Sequence, residues 1–181
     1  LQEVVDSYDV RIDWYKVLRL HLEKWELMTD SISEGMSAPE FTLQNQDGQE
    51  VTLANYRGKK LVVYFYPKDF TPGWTTEACE LRDEHAGFEA AEVSIVGISP
   101  DSVEKHLAFQ KENGLPFPLL SDPDHAVAEA YQAWGERSMY GKTFMGILRS
   151  TFLVDEHGTI QKIWRNVKPA GHAQQVLEEI S

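Results

Sequence analysis

Between Trp14 and Met28 the large apolar residues Trp14, Leu18, Leu22, Trp25 and Met28 recur every three or four positions. That period marks one face of an α-helix. Asp13 stands where a cap belongs, so a helix is expected from about Asp13 to Met28. A face carrying two Trp is not left in water. It packs on its own domain or docks on a second subunit or another protein. From Gly35 onward the texture changes. "EFTLQNQDGQEVTL" predicts a hairpin turning at Asp47-Gly48. "KLVVYFYP" is a continuous apolar run, as in a buried central strand. Thr75 to Ala90 reads as a helix, and "EVSIVGIS" as the next strand. Ser102 to Asn113 reads as a helix stopped by Gly114 and Pro116. "FPLLSD" is a short strand, followed by a helix from about His125 to Ala133. "STFLVDEHGTIQKIWRNV" is a hairpin turning at His157-Gly158, and a last helix runs from about His172 to Ile180.

Strands alternating with helices, then a hairpin and a closing helix, predict an α/β fold with a sheet covered on both faces. The chain has 181 residues, which fits one domain with an appendage. Residues 1–33 hold no Gly or Pro and read as an N-terminal helical extension, with the domain proper over 34–181.

Composition narrows the function classes. A net charge of -12 repels phosphate backbones and anionic membranes, which argues against nucleic acid as a partner. No apolar run reaches membrane-spanning length. "LQEVVDSYDV" carries acidic residues and is neither a secretory signal nor an Arg-rich transit peptide. The sequence opens on Leu1 rather than Met, which leaves a leader upstream open. A single cysteine excludes an internal disulfide framework and a Cys-rich zinc site, and points to the cytoplasm or another reducing compartment. His21, His85, His106, His125, His157 and His172 fall in no metal-ligand spacing and read as surface or satisfied histidines.

The stretch Tyr66–Cys79, "YPKDFTPGWTTEAC", carries the chemistry. With its flanks it resembles the active-site segment of the bacterioferritin-comigratory (PrxQ-type) peroxiredoxins. "LPFPLLSDPDHAVAEAY", "MYGKTFMGILRSTFLVDEHG" and "VKPAGHAQQVL" resemble the same family, so the likeness covers about residues 34–181. It implies a thioredoxin-like fold and a thiol peroxidase that reduces hydrogen peroxide and organic hydroperoxides. Electrons would come from thioredoxin or a similar dithiol, with no metal, flavin or nucleotide. The family motif is Pro-x-x-x-Thr-x-x-Cys. Pro67 and Thr71 match it, but Trp74 occupies the place of the peroxidatic cysteine. Cys79 matches a resolving cysteine, and Arg149 matches an arginine that faces the nucleophile from a later strand.

These residue types suit the reaction. A thiolate attacks the peroxide oxygen and becomes a sulfenic acid. A helix N-terminus, here after Gly73, and a nearby cation, here Arg149, lower the thiol pKa. Thr71 and Arg149 hydrogen-bond the peroxide oxygens as charge develops, and Pro67 shields the pocket. Residues five apart on a helix lie about 140° round the axis and about 7.5 Å along it. A disulfide needs Cα atoms closer than about 7 Å. The first turn must therefore unwind before position 74 and Cys79 can join.

Indole has no sulfur to oxidise, so the chain as written is expected to be catalytically deficient. Indole also overfills a thiol-sized pocket, and the expectation is that it is expelled, with the first turn unwound or displaced. Cys79, a turn and a half into the helix, is expected to be an unactivated thiol. An engineered change, a natural pseudoenzyme and a rebuilt pocket all remain open as the origin of Trp74. The retention of Pro67, Thr71, Cys79 and Arg149 favours a recent or deliberate change. The alternative function is a non-catalytic binding or structural subunit that docks through its N-terminal helix.

Overall fold

A computed structural model describes residues 31–139, 141–168 and 170–180, without the side chains of Trp74 and Met139. The helix expected over 13–28, and with it the extension 1–33, lies essentially outside the described residues.

The apolar run forms β3 (Lys60–Phe65), in the middle of the sheet. It pairs in parallel with β4 (Val93–Ser99) and antiparallel with β8 (Ser150–Val154), so Val63 stands between Val96 and Phe152. Four further strands complete the sheet: β1 (Thr42–Asn45), β2 (Glu50–Thr52), β5 (Leu119–Ser121) and β9 (Ile160–Arg165). The order across it is β2-β1-β5-β4-β3-β8-β9.

Alternation along β3 sends side chains to two cores. Leu61, Val63 and Phe65 join Val96, Ile98, Phe152 and Val154 on one face. Val62 and Tyr64 join Val93, Ile95 and Leu153 on the other, as does Tyr66 just beyond the strand. Tyr64 crosses the neighbouring strand at Gly97, where a Cβ would stand 2.5 Å from its hydroxyl. No larger residue fits there.

Helices cover both faces. The second core takes Ala78 and Leu81 from α1 (Pro72–Asp83), Phe88 from α2 (His85–Ala90) and Phe109 from α3 (Val103–Asn113). It also takes Ala173 and Val176 from α5 (His172–Ile180). The first core takes Val127 and Ala128 from α4 (Ala126–Ala130). The α3 boundaries follow the expected signals. Ser102 Oγ accepts the Lys105 N–H, and Gly114 closes the helix at φ 60°. Both expected hairpins are present, through Asp47-Gly48 and His157-Gly158.

Three expectations are corrected. The helix expected over Thr75–Ala90 starts earlier, at Pro72, and is two helices. The break falls at Glu84, whose φ of -89° and ψ of 3° turn the chain and let Phe88 bury in the second core. The helix expected over His125–Ala133 spans only Ala126–Ala130. Gln132 takes φ 51°, and Ala133 N–H returns to the Ala128 carbonyl at 2.7 Å, which ends the helix. A two-stranded sheet of β6 (Trp134–Met139) and β7 (Lys142–Ile147) then follows, which was not anticipated. Its Phe144 and Met145 are exposed, so it lacks the one-sided apolar alternation by which a strand is recognised.

Candidate active site

The chain leaves β3 at Phe65, and Tyr66 N–H still bonds the Ile98 carbonyl. The loop Pro67–Thr71 then delivers it into α1. Pro72 is the first helical residue, a position where its fixed φ fits and its missing N–H costs nothing. Thr71 is the N-cap by backbone, at φ -95° and ψ 137°, but its hydroxyl does not cap the helix. It donates instead to the Lys68 carbonyl at 3.0 Å. The opening N–H groups of α1 are thus left without a side-chain cap, which keeps the helix N-terminus able to attract negative charge.

Position 74 is the third residue of this helix. The turn around it is wound: Thr75 N–H bonds the Thr71 carbonyl at 3.0 Å. The expected unwinding or displacement of the first turn is not found. Helical backbone asks nothing of a residue here beyond a Cβ, so a bulky side chain does not by itself break the turn. Where the indole goes lies outside the described residues.

One turn further along stands a residue the sequence reading missed. Glu77 is buried in the same helix, at 2% exposure. Burial pushes its carboxyl up to about 8, Glu80 adds to the rise, and Arg149 opposes it. One of its oxygens, Oε2, meets no hydrogen-bond partner among the described residues. A carboxylate interrupting the stripe of Ala78 and Leu81 was the available signal, because charge on a buried helix face is rarely accidental.

Arg149 is placed by the two-residue link between β7 and β8 rather than by a strand, which corrects the expectation. Its carbonyl accepts the Val167 N–H. Partial burial lowers its pKa, Glu77 raises it and Arg137 lowers it. It opens on a cavity of about 360 Å³ with Arg137, Ser138 and Asn166. The electrostatic coupling of Glu77 and Arg149 ties this cation to the helix that carries position 74.

Cys79 is elsewhere. It is half-buried, with Sγ 3.8 Å from Asn113 Oδ1. It lines an open groove of about 610 Å³ with Phe70, Thr75 and Thr76, not the cavity of Arg149. In the wound helix the two sites are separate. The histidines divide: His106 and His172 are buried, and His172 Nε2 lies 2.8 Å from Thr151 Oγ1.

Known proteins resemble this chain in sequence and fold. Peroxiredoxin Bcp of Bacillus subtilis is 47% identical over 150 residues, covering 83% of this chain and 96% of that protein. Peroxiredoxin Bcp of Escherichia coli is 44% identical over 146 residues, covering 81% and 94%. The structure of a Xanthomonas campestris bacterioferritin comigratory protein, described for its alkyl peroxide reduction activity, superposes with a TM-score of 0.76. Its identity is 41%, over 82% of this chain and 97% of that one. The AhpC/TSA family pattern matches residues 35–163. A thioredoxin-like sheet and a helix opening after a Pro-x-x-x-Thr loop thus come with sequence identity along nearly the whole domain, and the chain belongs to the AhpC/TSA family, among the Bcp and PrxQ peroxiredoxins.

Proposed function

We propose that this chain is a thiol peroxidase disabled at one position, with its peroxide pocket retained. The observation that carries the reading is the Pro67–Thr71 loop opening into a wound helix with position 74 in its first turn, in a chain 47% and 44% identical to two Bcp peroxiredoxins. At neutral pH a carboxyl pushed up to about 8 by burial is mostly protonated, so Glu77 adds little negative charge near Arg149. With a cysteine at 74, the thiolate attacks one peroxide oxygen, the O–O bond breaks, and the leaving alkoxide or hydroxide takes a proton. Thr71 and Arg149 hold the two oxygens, and Pro67 shields them. The sulfenic acid condenses with the Cys79 thiol, losing water and forming a disulfide. A dithiol such as thioredoxin then exchanges with that disulfide and becomes oxidised itself.

Trp74 removes the first step. Cys79 does not replace it, since it sits away from the helix start and outside the cavity of Arg149. Residues 1–33, in this reading, are an appendage to the domain 34–181.

The test is consumption of hydrogen peroxide and tert-butyl hydroperoxide, coupled to thioredoxin and its reductase, by the chain and by Trp74→Cys. Turnover by Trp74→Cys alone is the expected result. Turnover by the parent chain would show that position 74 is not disabling. Silence from both would mean the pocket is abandoned. The non-catalytic subunit docking through Trp14, Leu18, Leu22 and Trp25 would then be the better account.

A further inference from the structure

Behind the loop that leads into α1 lies a polar cluster sealed from solvent. The side chains of Asp69 and His106 have 0% exposure. Asp69 Oδ1 accepts from the Tyr66 hydroxyl at 2.8 Å, and Asp69 Oδ2 lies 2.7 Å from His106 Nδ1. Facing a carboxylate that can only accept, Nδ1 carries the ring hydrogen in either charge state. Burial, with Tyr64 and Asp69 adding to it, pushes the Tyr66 hydroxyl well above its usual pKa, so it stays a donor. His106 Nε2 is buried and meets no partner among the described residues.

Removing a carboxylate and an imidazole from water is a poor way to fill a core. What the cluster grips is the loop. The Asp69 backbone N–H donates to Asp101 Oδ2 at 2.7 Å, and Asp101 is held in turn by Lys105 Nζ at 2.6 Å. The next residue, Phe70, sits at φ 59°, a conformation that side chains other than glycine rarely adopt. Its ring meets Phe109 edge-on at 5.1 Å. Every one of these grips lands on Asp101–Phe109, the lead into α3 and its first two turns. The first turn of α1, by comparison, has no side-chain cap of its own.

We propose that Asp69 and His106 are positioning residues that latch the loop Pro67–Thr71 onto α3 and so set how often the first turn of α1 unwinds. Neither touches the reacting atoms. The latch takes its purpose from the peroxidase reading, because position 74 and Cys79 can join only in the unwound turn. Its physical content does not depend on that reading.

Amide hydrogen exchange on the full chain tests it without any chemistry. Asp69→Asn is expected to speed exchange at Thr75, Thr76 and Glu77 by about tenfold or more, with β3 and β4 amides such as Val63 and Val96 changing less than about twofold. Asp101→Ala removes the backbone grip, together with the Lys105 pair, from a partly exposed position, and is expected to give about threefold in the same turn. It guards against a misfolded Asp69→Asn. His106→Leu should act like Asp69→Asn, while His106→Asn, which keeps a donor near Nδ1, restores most of the protection. If the first turn and the strands accelerate together, or neither changes, the latch is only part of the core and the proposal fails. In a Trp74→Cys background, Asp69→Asn should speed disulfide formation with Cys79 after stoichiometric peroxide and, under excess peroxide, lower the sulfinic product. A Trp74→Cys chain that ignores peroxide, with the exchange pattern as expected, would overturn the peroxidase reading and leave the latch standing.

Discussion

The first turn of α1 and its last two turns belong to one helix but rest on different supports. From Glu77 to Asp83 the helix is part of the core. Ala78 and Leu81 are buried, Arg82 donates to the Asn113 carbonyl at 2.7 Å, and Glu80 accepts the Gly171 N–H at 2.8 Å. From Pro72 to Thr76 its ties among the described residues are local. These are the Thr75 N–H bond to Thr71 and two hydroxyl bonds from Thr75 and Thr76 back to carbonyls one turn earlier. Helix ends with few buried contacts open at low free energy, while packed segments open only with the whole fold. The comparison teaches that the winding of position 74 and the stability of the domain are separately adjustable.

The largest blow to this contrast comes from the buried half. Leu81→Ala should cost about 2–5 kcal/mol in urea unfolding, because it leaves a cavity between α1 and the sheet. A loss below about 1 kcal/mol would mean that half is no better anchored than the first turn. Glu77 comes next, through pH. Its folded pKa of about 8 exceeds the model-compound 4.5, so the folded state keeps a proton that the unfolded state has released. Stability therefore falls as pH rises from about 4.5 through about 8, by on the order of 5 kcal/mol, and then levels. Glu77→Gln should flatten that slope, and an unchanged slope would place the titration elsewhere. Arg82→Ala forfeits one bond to a backbone carbonyl and should cost about 1 kcal/mol. Thr75→Ala is the smallest: within about 0.5 kcal/mol by unfolding, since its hydroxyl only doubles a backbone bond already made. If it cost as much as Leu81→Ala, the first turn would have to count as core.

What could be read from the sequence follows the same division. β3 was legible because a strand buried on both faces is apolar throughout, and α3 because Ser102 and Gly114 punctuate it. The Asp47-Gly48 and His157-Gly158 turns were legible through their chemistry. Pro67, Thr71, Cys79 and Arg149 were named through resemblance alone. Buried polar residues were not legible: Glu77, Asp69 and His106 look like solvated positions until tertiary packing encloses them. The break at Glu84 and the β6–β7 sheet were also missed. Backbone turning at a residue with no special side chain, and strands exposed on both sides, leave no periodic trace.

Having one thiol in the chain has a use of its own. Cys79 lies half-covered in the firm part of the helix, about one turn beyond the loose part. No other sulfhydryl competes for a maleimide or a fluorinated tag. The parent chain, mute as a catalyst in this reading, thereby becomes a single-channel instrument: the rate at which it takes the label clocks the opening of its own helix.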